Sequence, residues 1–162
     1  MLPPAPTKLK QSDVADKTIT ARWGAAVLAN GFTAFPDVIF KYQKALKLKP
    51  LDVLILLHLA SYWREPGKNP WPAKATIAEA MDIDPRTVQR SIVKMEKLGY
   101  VKRIMRKAGV GDNLSNEYDM RGLVAALSLL SLQITTAKAQ REAEDKARRT
   151  TPTTLALVSG GK

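Results

Sequence analysis

The 162-residue sequence predicts a mainly α-helical fold with one small β-hairpin, and three stretches carry that prediction. Residues 74–98 hold two short helical periodicities separated by a turn. Residues 100–120 hold two short alternating segments around a glycine-containing turn, and residues 121–149 hold one long helical run.

Taken in order, residues 1–21 begin with Pro3, Pro4 and Pro6 and continue with polar residues of little periodicity, which reads as a mobile arm. Its Lys8 and Lys10 could touch phosphate but are better explained by solvation. Arg22 to Leu28 reads as a short helix stopped at Asn30-Gly31, with Trp23 packing on the domain. Pro36 suits the first position of a helix running to about Leu46, where Val38, Ile39, Tyr42, Ala45 and Leu46 make an apolar stripe and Lys41, Lys44 and Lys47 face out. Pro50 to Tyr62 is apolar nearly all round, so it is expected to be the central core helix. His58 within it reads as a core histidine, because no nucleophile motif accompanies it. Lys49 stands where a capping Ser, Thr or Asp would serve better. Pro66, Pro70 and Pro72 stiffen the following loop, whose Trp71 is expected to cover the core edge.

Lys74 to Leu98 is the centre of the prediction. Ile77, Ala78 and Met81 share one side of a first helix, and Val88, Ile92, Met95 and Leu98 share one side of a second. Asp84 can accept from the open N–H groups of the second helix, Pro85 suits its first position, and Gly99 offers a left-handed stop. With that apolar face inward, Arg86, Thr87, Gln89, Arg90 and Lys94 lie on outward or flanking faces. Arg can pair bidentately with guanine and Gln with adenine, while Thr can reach a phosphate or a thymine methyl. The bland alternative is an ordinary solvated helix face.

Tyr100 to Arg106 reads as a strand, Lys107 to Ser115 as turn material with Gly109, Gly111, Asp112 and Asn113, and Asn116 to Met120 as a returning strand. Helix, turn, helix, hairpin is the winged helix-turn-helix order. From Pro85 to Lys107 eight Lys or Arg face a single acid, Glu96. Asp119 can cap a long helix to about Arg149. Its Leu123, Leu127, Leu130 and Ile134 follow a seam, yet Leu129 and Leu132 lie outside it, so one set can close the core while the other needs a partner. A homodimer through this helix follows, with Leu123, Leu127, Leu130 and Ile134 as its interface residues. Residues 150–162 read as a disordered tail.

The runs FPDVIFKYQKALKL, LDVLILLHLASYW, KATIAEAMDIDPRTVQRSIVKMEKLGYVKR and NEYDMRGL together resemble the helix-turn-helix family of bacterial plasmids, phages and integrative elements, over roughly residues 22 to 127. The resemblance implies a winged helix-turn-helix DNA-binding domain at residues 22–120, with an N-terminal helical extension and a C-terminal helix over 121–149. Two positions depart from the family pattern. Ala73 replaces a capping Ser, a deficit of about 1 kcal/mol, and leaves Lys74 or Thr76 to supply any phosphate contact. Asp82 replaces a turn glycine, and Asp tolerates the left-handed conformation better than most residues.

Composition narrows the functions. A net charge of +11 favours an anionic partner, and nucleic acid is the usual one for a small basic protein. No apolar run approaches the ~18 residues of a spanning helix, so a soluble cytoplasmic protein without membrane association is expected. With no cysteine and one histidine, disulfides, thiol catalysis and ordinary zinc sites are excluded. Neither an enzyme activity nor a cofactor or metal is expected.

These readings combine into sequence-specific binding of double-stranded DNA by a homodimeric repressor or autoregulator of a mobile element. Arg86, Gln89 and Arg90 would read bases. Lys74, Thr76, Thr87, Lys94, Lys102, Arg103, Arg106, Lys107 and Asn113 would hold phosphates or the minor groove. The alternatives are a plasmid replication or partition protein on iterated repeats, and a winged-helix module that binds protein, with a further partner on the C-terminal helix or tail. Tyr100 and Tyr118 read as strand-core residues rather than stacking platforms for single strands.

Overall fold

A computed structural model describes residues 11–65, 67–106 and 115–150. Lys107, Asn113 and most of the predicted wing turn lie outside the described residues. The chain divides into two compact units, one up to Phe35 and one from Pro36 onward.

The first unit holds α1 (Gln11–Trp23) and α2 (Ala25–Leu28), broken at Gly24. The structure thus continues the helix back through residues read as irregular. After Pro6 that stretch contains no further proline, and local propensity suffices for a helix without an apolar stripe. Trp23, expected to pack as an anchor, is exposed within this unit, as are Val27 and Phe32.

The second unit holds α3 (Asp37–Lys41), α4 (Pro50–Ser61), α5 (Lys74–Ala80), α6 (Pro85–Lys97), β1 (Lys102–Ile104), β2 (Glu117–Asp119) and α7 (Arg121–Thr150). It is a winged helix. Ile55, Leu56 and Leu59 of α4 are fully buried with Ile77 of α5 and Val88, Ile92 and Met95 of α6, which makes α4 the core helix as its sequence requires. β1 and β2 pair antiparallel with Arg103 opposite Tyr118. Both strands are shorter than the alternating segments suggested. Tyr118 is buried, and the Tyr100 hydroxyl donates to the Leu46 carbonyl at 3.1 Å, so both tyrosines serve the core.

Three helical segments stop in the same way. The N–H groups of Leu48, Ile83 and Tyr100 each reach back five residues, to the carbonyls of Gln43, Ala78 and Met95 at 2.9–3.0 Å. The residue before each donor is left-handed: Lys47 at φ 55°, Asp82 at φ 50° and Gly99 at φ 75°. This closure satisfies carbonyls that the helix end would otherwise orphan. The helix expected to Leu46 is regular only to Lys41, because Tyr42 leaves helical geometry at φ −122°, and it continues as turns to the left-handed Lys47.

The Asp119 carboxylate caps α7 as expected, accepting from the Arg121 N–H at 2.9 Å. The next residue settles how α7 leaves the wing. A Cβ on Gly122 would lie 1.9 Å from the Gly99 carbonyl oxygen, so the first turn of α7 rests directly on the stop of α6. The Leu123 N–H donates to the Tyr100 carbonyl beside it, at 3.0 Å. Gly122→Ala is expected to destabilise the fold by about 1–3 kcal/mol, because backbone must move to admit the methyl. A thermal melt that leaves Tm unchanged would contradict that packing.

Leu123 and Leu127, expected at a dimer interface, are instead buried in the chain's own core, and Leu130 and Ile134 are half-buried beside them. At about 100° per residue, Leu129 and Leu132 fall on the roughly opposite side of α7 and Val124 on its flank, and all three are exposed. Residues 121–149 are also long and apolar enough to cross a membrane by length and composition alone, a run the sequence reading did not expect. Serine and threonine hydroxyls interrupt it, bonding back to the helix carbonyls of Val124, Ser131 and Leu132.

Candidate nucleic-acid interface

The amino end of α6 is set by local chemistry. The Asp84 carboxylate accepts from the Arg86 N–H at 2.6 Å, and Pro85 opens the first turn. One turn earlier the left-handed Asp82 redirects the chain from α5, as its tolerance of that conformation predicts. Ala73 caps α5 with extended backbone but no side-chain acceptor. Ala73→Ser is therefore expected to stabilise the domain by about 1 kcal/mol, read as a higher Tm.

The rotation of α6 about its axis decides which side chains meet a ligand, and a buried polar cluster fixes it. Asp52, 3% exposed on α4, accepts through one oxygen from the Ser91 hydroxyl and through the other from the Lys94 ammonium. The second oxygen also takes the Lys49 N–H at 2.7 Å, so Asp52 supplies the helix cap that Lys49 itself cannot. Burial pushes the Asp52 carboxyl up. Hydrogen bonds from Lys94, Ser91 and the Lys49 backbone, with the Lys94 charge, outweigh it and hold the carboxyl below the ordinary value.

The predicted cations therefore divide into two groups. Lys94 is a strut to Asp52. Arg103 forks onto Glu96, with Nε to Oε1 at 2.8 Å and a terminal nitrogen to Oε2 at 2.7 Å, tying the hairpin to the far end of α6. The Arg103 hydrogen bond holds the Glu96 carboxyl below its usual value, against the effect of burial. Arg106 lies 3.5 Å from the Glu117 carboxylate and over the Trp71 ring, 4.7 Å from its centre. Asp52 and Glu117 come from distant positions, so the local excess of positive charge is smaller than residues 85–107 suggest.

Arg86, Arg90 and Lys102 form the second group. All three are exposed, and among the described residues none is within ion-pair distance of a carboxylate, although Lys102 stands opposite Asp119 in the hairpin and its charge helps to lower that carboxyl. Gln89 is half-buried beside them, and its carbonyl oxygen accepts from the Lys74 ammonium at 2.6 Å. That contact assigns the donor and acceptor ends of the amide. Thr87 is half-buried on the same turn, and Thr76 is exposed on α5. Two cationic forks and an oriented amide thus project from the first two turns of a helix whose opposite side is locked to the core.

Residues 46–101, from the end of the α3 turns to the start of β1, match the helix-turn-helix domain family. This part of the chain is similar to that family. The match supports binding of double-stranded DNA. Among solved structures, the N-terminal domain of the DnaD protein from Geobacillus kaustophilus HTA426 is similar at 21% identity and a TM-score of 0.50, covering 83% of this chain and 99% of that one. That likeness shows the fold. A possible transcriptional regulator from Methanosarcina mazei Go1 is similar at 19% identity over 67% of this chain and 87% of that one, and its TM-score of 0.42 is too low to argue from. No curated protein matches the chain.

Asp52 and Ser91 are what the sequence reading missed in this helix-turn-helix. Each had a signal. Asp52 is the lone acid in an apolar run, three residues after a cap position, and Ser91 is a polar residue on the inward side of α6 between Val88 and Met95.

Proposed function

We propose that this chain is a sequence-specific DNA-binding protein that acts as a homodimeric transcriptional regulator, a repressor or autoregulator, of a bacterial mobile element. It works in the cytoplasm and carries out no catalysis. The observation that carries the reading is the contrast on α6, where Lys94 is held by a carboxylate while Arg86 and Arg90 stay exposed without one. Arg86, Gln89 and Arg90 read base edges in the major groove, and Lys74, Thr76, Thr87 and Lys102 contact the backbone. Resemblance to proteins of plasmids, phages and integrative elements supports the genetic setting.

The dimer forms through Leu129 and Leu132 of α7, the apolar side that the core leaves exposed, with Val124 at its margin. Replacing Leu129 and Leu132 together by Glu is expected to give a monomer by sedimentation with an unchanged circular dichroism spectrum. A wild-type chain already monomeric at micromolar concentration would contradict this dimer. Selection of binding sites from random duplexes, followed by footprinting, tests the whole reading. A single inverted repeat with half-sites about one or two helical turns apart is expected. Many direct repeats, or no enriched sequence, would contradict it.

A further inference from the structure

Between the end of α4, the loop after it and the start of α5 lies an open groove of about 590 Å³ that shares only Thr76 with the proposed duplex contacts. Tyr62 and Trp71 supply its exposed rings, Arg64 and Lys68 its cations, Lys68 being paired with Glu65 of the same lining at 2.5 Å, and Thr76 and Ser115 line it as well. Trp71 was expected to cover the core edge, yet it is 58% exposed. Its exposure is not slackness. Pro70 and Pro72 on either side are buried, the Pro70 carbonyl accepts from the Tyr118 N–H at 2.8 Å, and the Trp71 carbonyl accepts from the Ser115 hydroxyl at 2.9 Å. Arg106 covers one face of the indole, so the ring is presented on a fixed backbone, backed by a guanidinium.

A rigidly held, solvent-facing indole beside a phenol and cations suits a flat, electron-poor group attached to an anion. Paired bases hide their faces inside the stack, whereas an unpaired base shows both. The groove also adjoins the recognition side. A second cleft runs from the same Ala73 and Ser115 to Lys74 and Pro85 at the start of α6.

We propose that the Tyr62–Trp71 groove binds an unpaired nucleotide of DNA, its base stacked on Trp71 and its phosphate met by Arg64. The chain then favours duplexes that carry a single-stranded extension. The inference rests on the duplex reading only for the position of the groove beside α6.

Binding of the full chain is compared on a blunt mixed-sequence duplex, the same duplex with a six-nucleotide thymidine overhang at either end, and the thymidine strand alone. An overhang is expected to tighten binding about tenfold, within the range for one stacked base, and to quench tryptophan fluorescence. Trp71→Ala and Tyr62→Ala should each remove that gain while keeping the blunt-duplex affinity. Trp71→Phe should keep part of it. Equal affinity for blunt and overhanging duplexes, as expected if the groove takes a protein side chain instead, would overturn the proposal. So would an overhang preference that survives Trp71→Ala. Binding of the single strand that depends on Trp71, without blunt-duplex binding, would uphold the groove and refute the duplex reading.

Discussion

Asp52→Ala is expected to destabilise the winged-helix unit by about 3–5 kcal/mol, the cost of breaking a buried ion pair by removing one partner. The substitution strands three donors at once: the Lys94 ammonium, the Ser91 hydroxyl and the Lys49 N–H. Asp52→Asn should cost less, because its carbonyl still accepts one of them and Lys94, 35% exposed, can turn toward water. Lys94→Met combined with Asp52→Leu should cost less than the two single changes added, since neither then leaves a buried charge unpaired. Urea unfolding followed by circular dichroism measures each of them. A loss below about 1 kcal/mol for Asp52→Ala would mean that the cluster does not hold α6.

The same carboxylate sets a dependence on pH. Its folded pKa lies below the ordinary 3.8, so its contribution is complete above that value and fades as the pH falls below it toward the folded pKa. Glu96, held down by Arg103, and Asp119, held down by Arg121, act in the same direction. Stability should therefore be flat near neutrality and fall in acid, more steeply in the wild type than in Asp52→Ala. An equal acid slope in both would remove Asp52 from the explanation.

Arg90→Ala is expected to cost about 1–3 kcal/mol of discrimination, roughly tenfold to a hundredfold, between a selected site and one altered at a single base. Arg86→Ala should do the same at a neighbouring base. Arg90→Lys keeps the charge but not the planar fork, so it should retain affinity for random duplex while losing most of the discrimination. Lys102→Ala is the contrast, with affinity reduced alike on all sequences and the slope against log salt flattened by about one. Equal losses on selected and random DNA for all these variants would count against base readout.

The outline of the unit was legible because its periodicities are strong and locally capped. Val88, Ile92 and Met95 repeat at helical spacing, and Asp84-Pro85 and Gly99 mark the ends of their helix. The exposed base-reading side follows from that inward side by helix geometry alone. What stayed hidden depends on residues far apart in the chain. Nothing near Lys94 or Arg106 announces Asp52 or Glu117, so side chains read as phosphate contacts proved to be tied to carboxylates within the unit. The expectation of Leu123 and Leu127 at an interface fails for a related reason. Two apolar sets on one helix do not say which of them the rest of the core will cover, and the contact between Gly122 and Gly99 decides it.

The most direct test of the account is a titration of the isotopically labelled full chain with its selected duplex, followed by NMR. The largest shifts are predicted at the amides of the first two turns of α6 and at the side chains of Arg86, Gln89 and Arg90. Lys94 should move little. Shifts centred on α7 or the end of α4, with those three side chains unmoved, would contradict it.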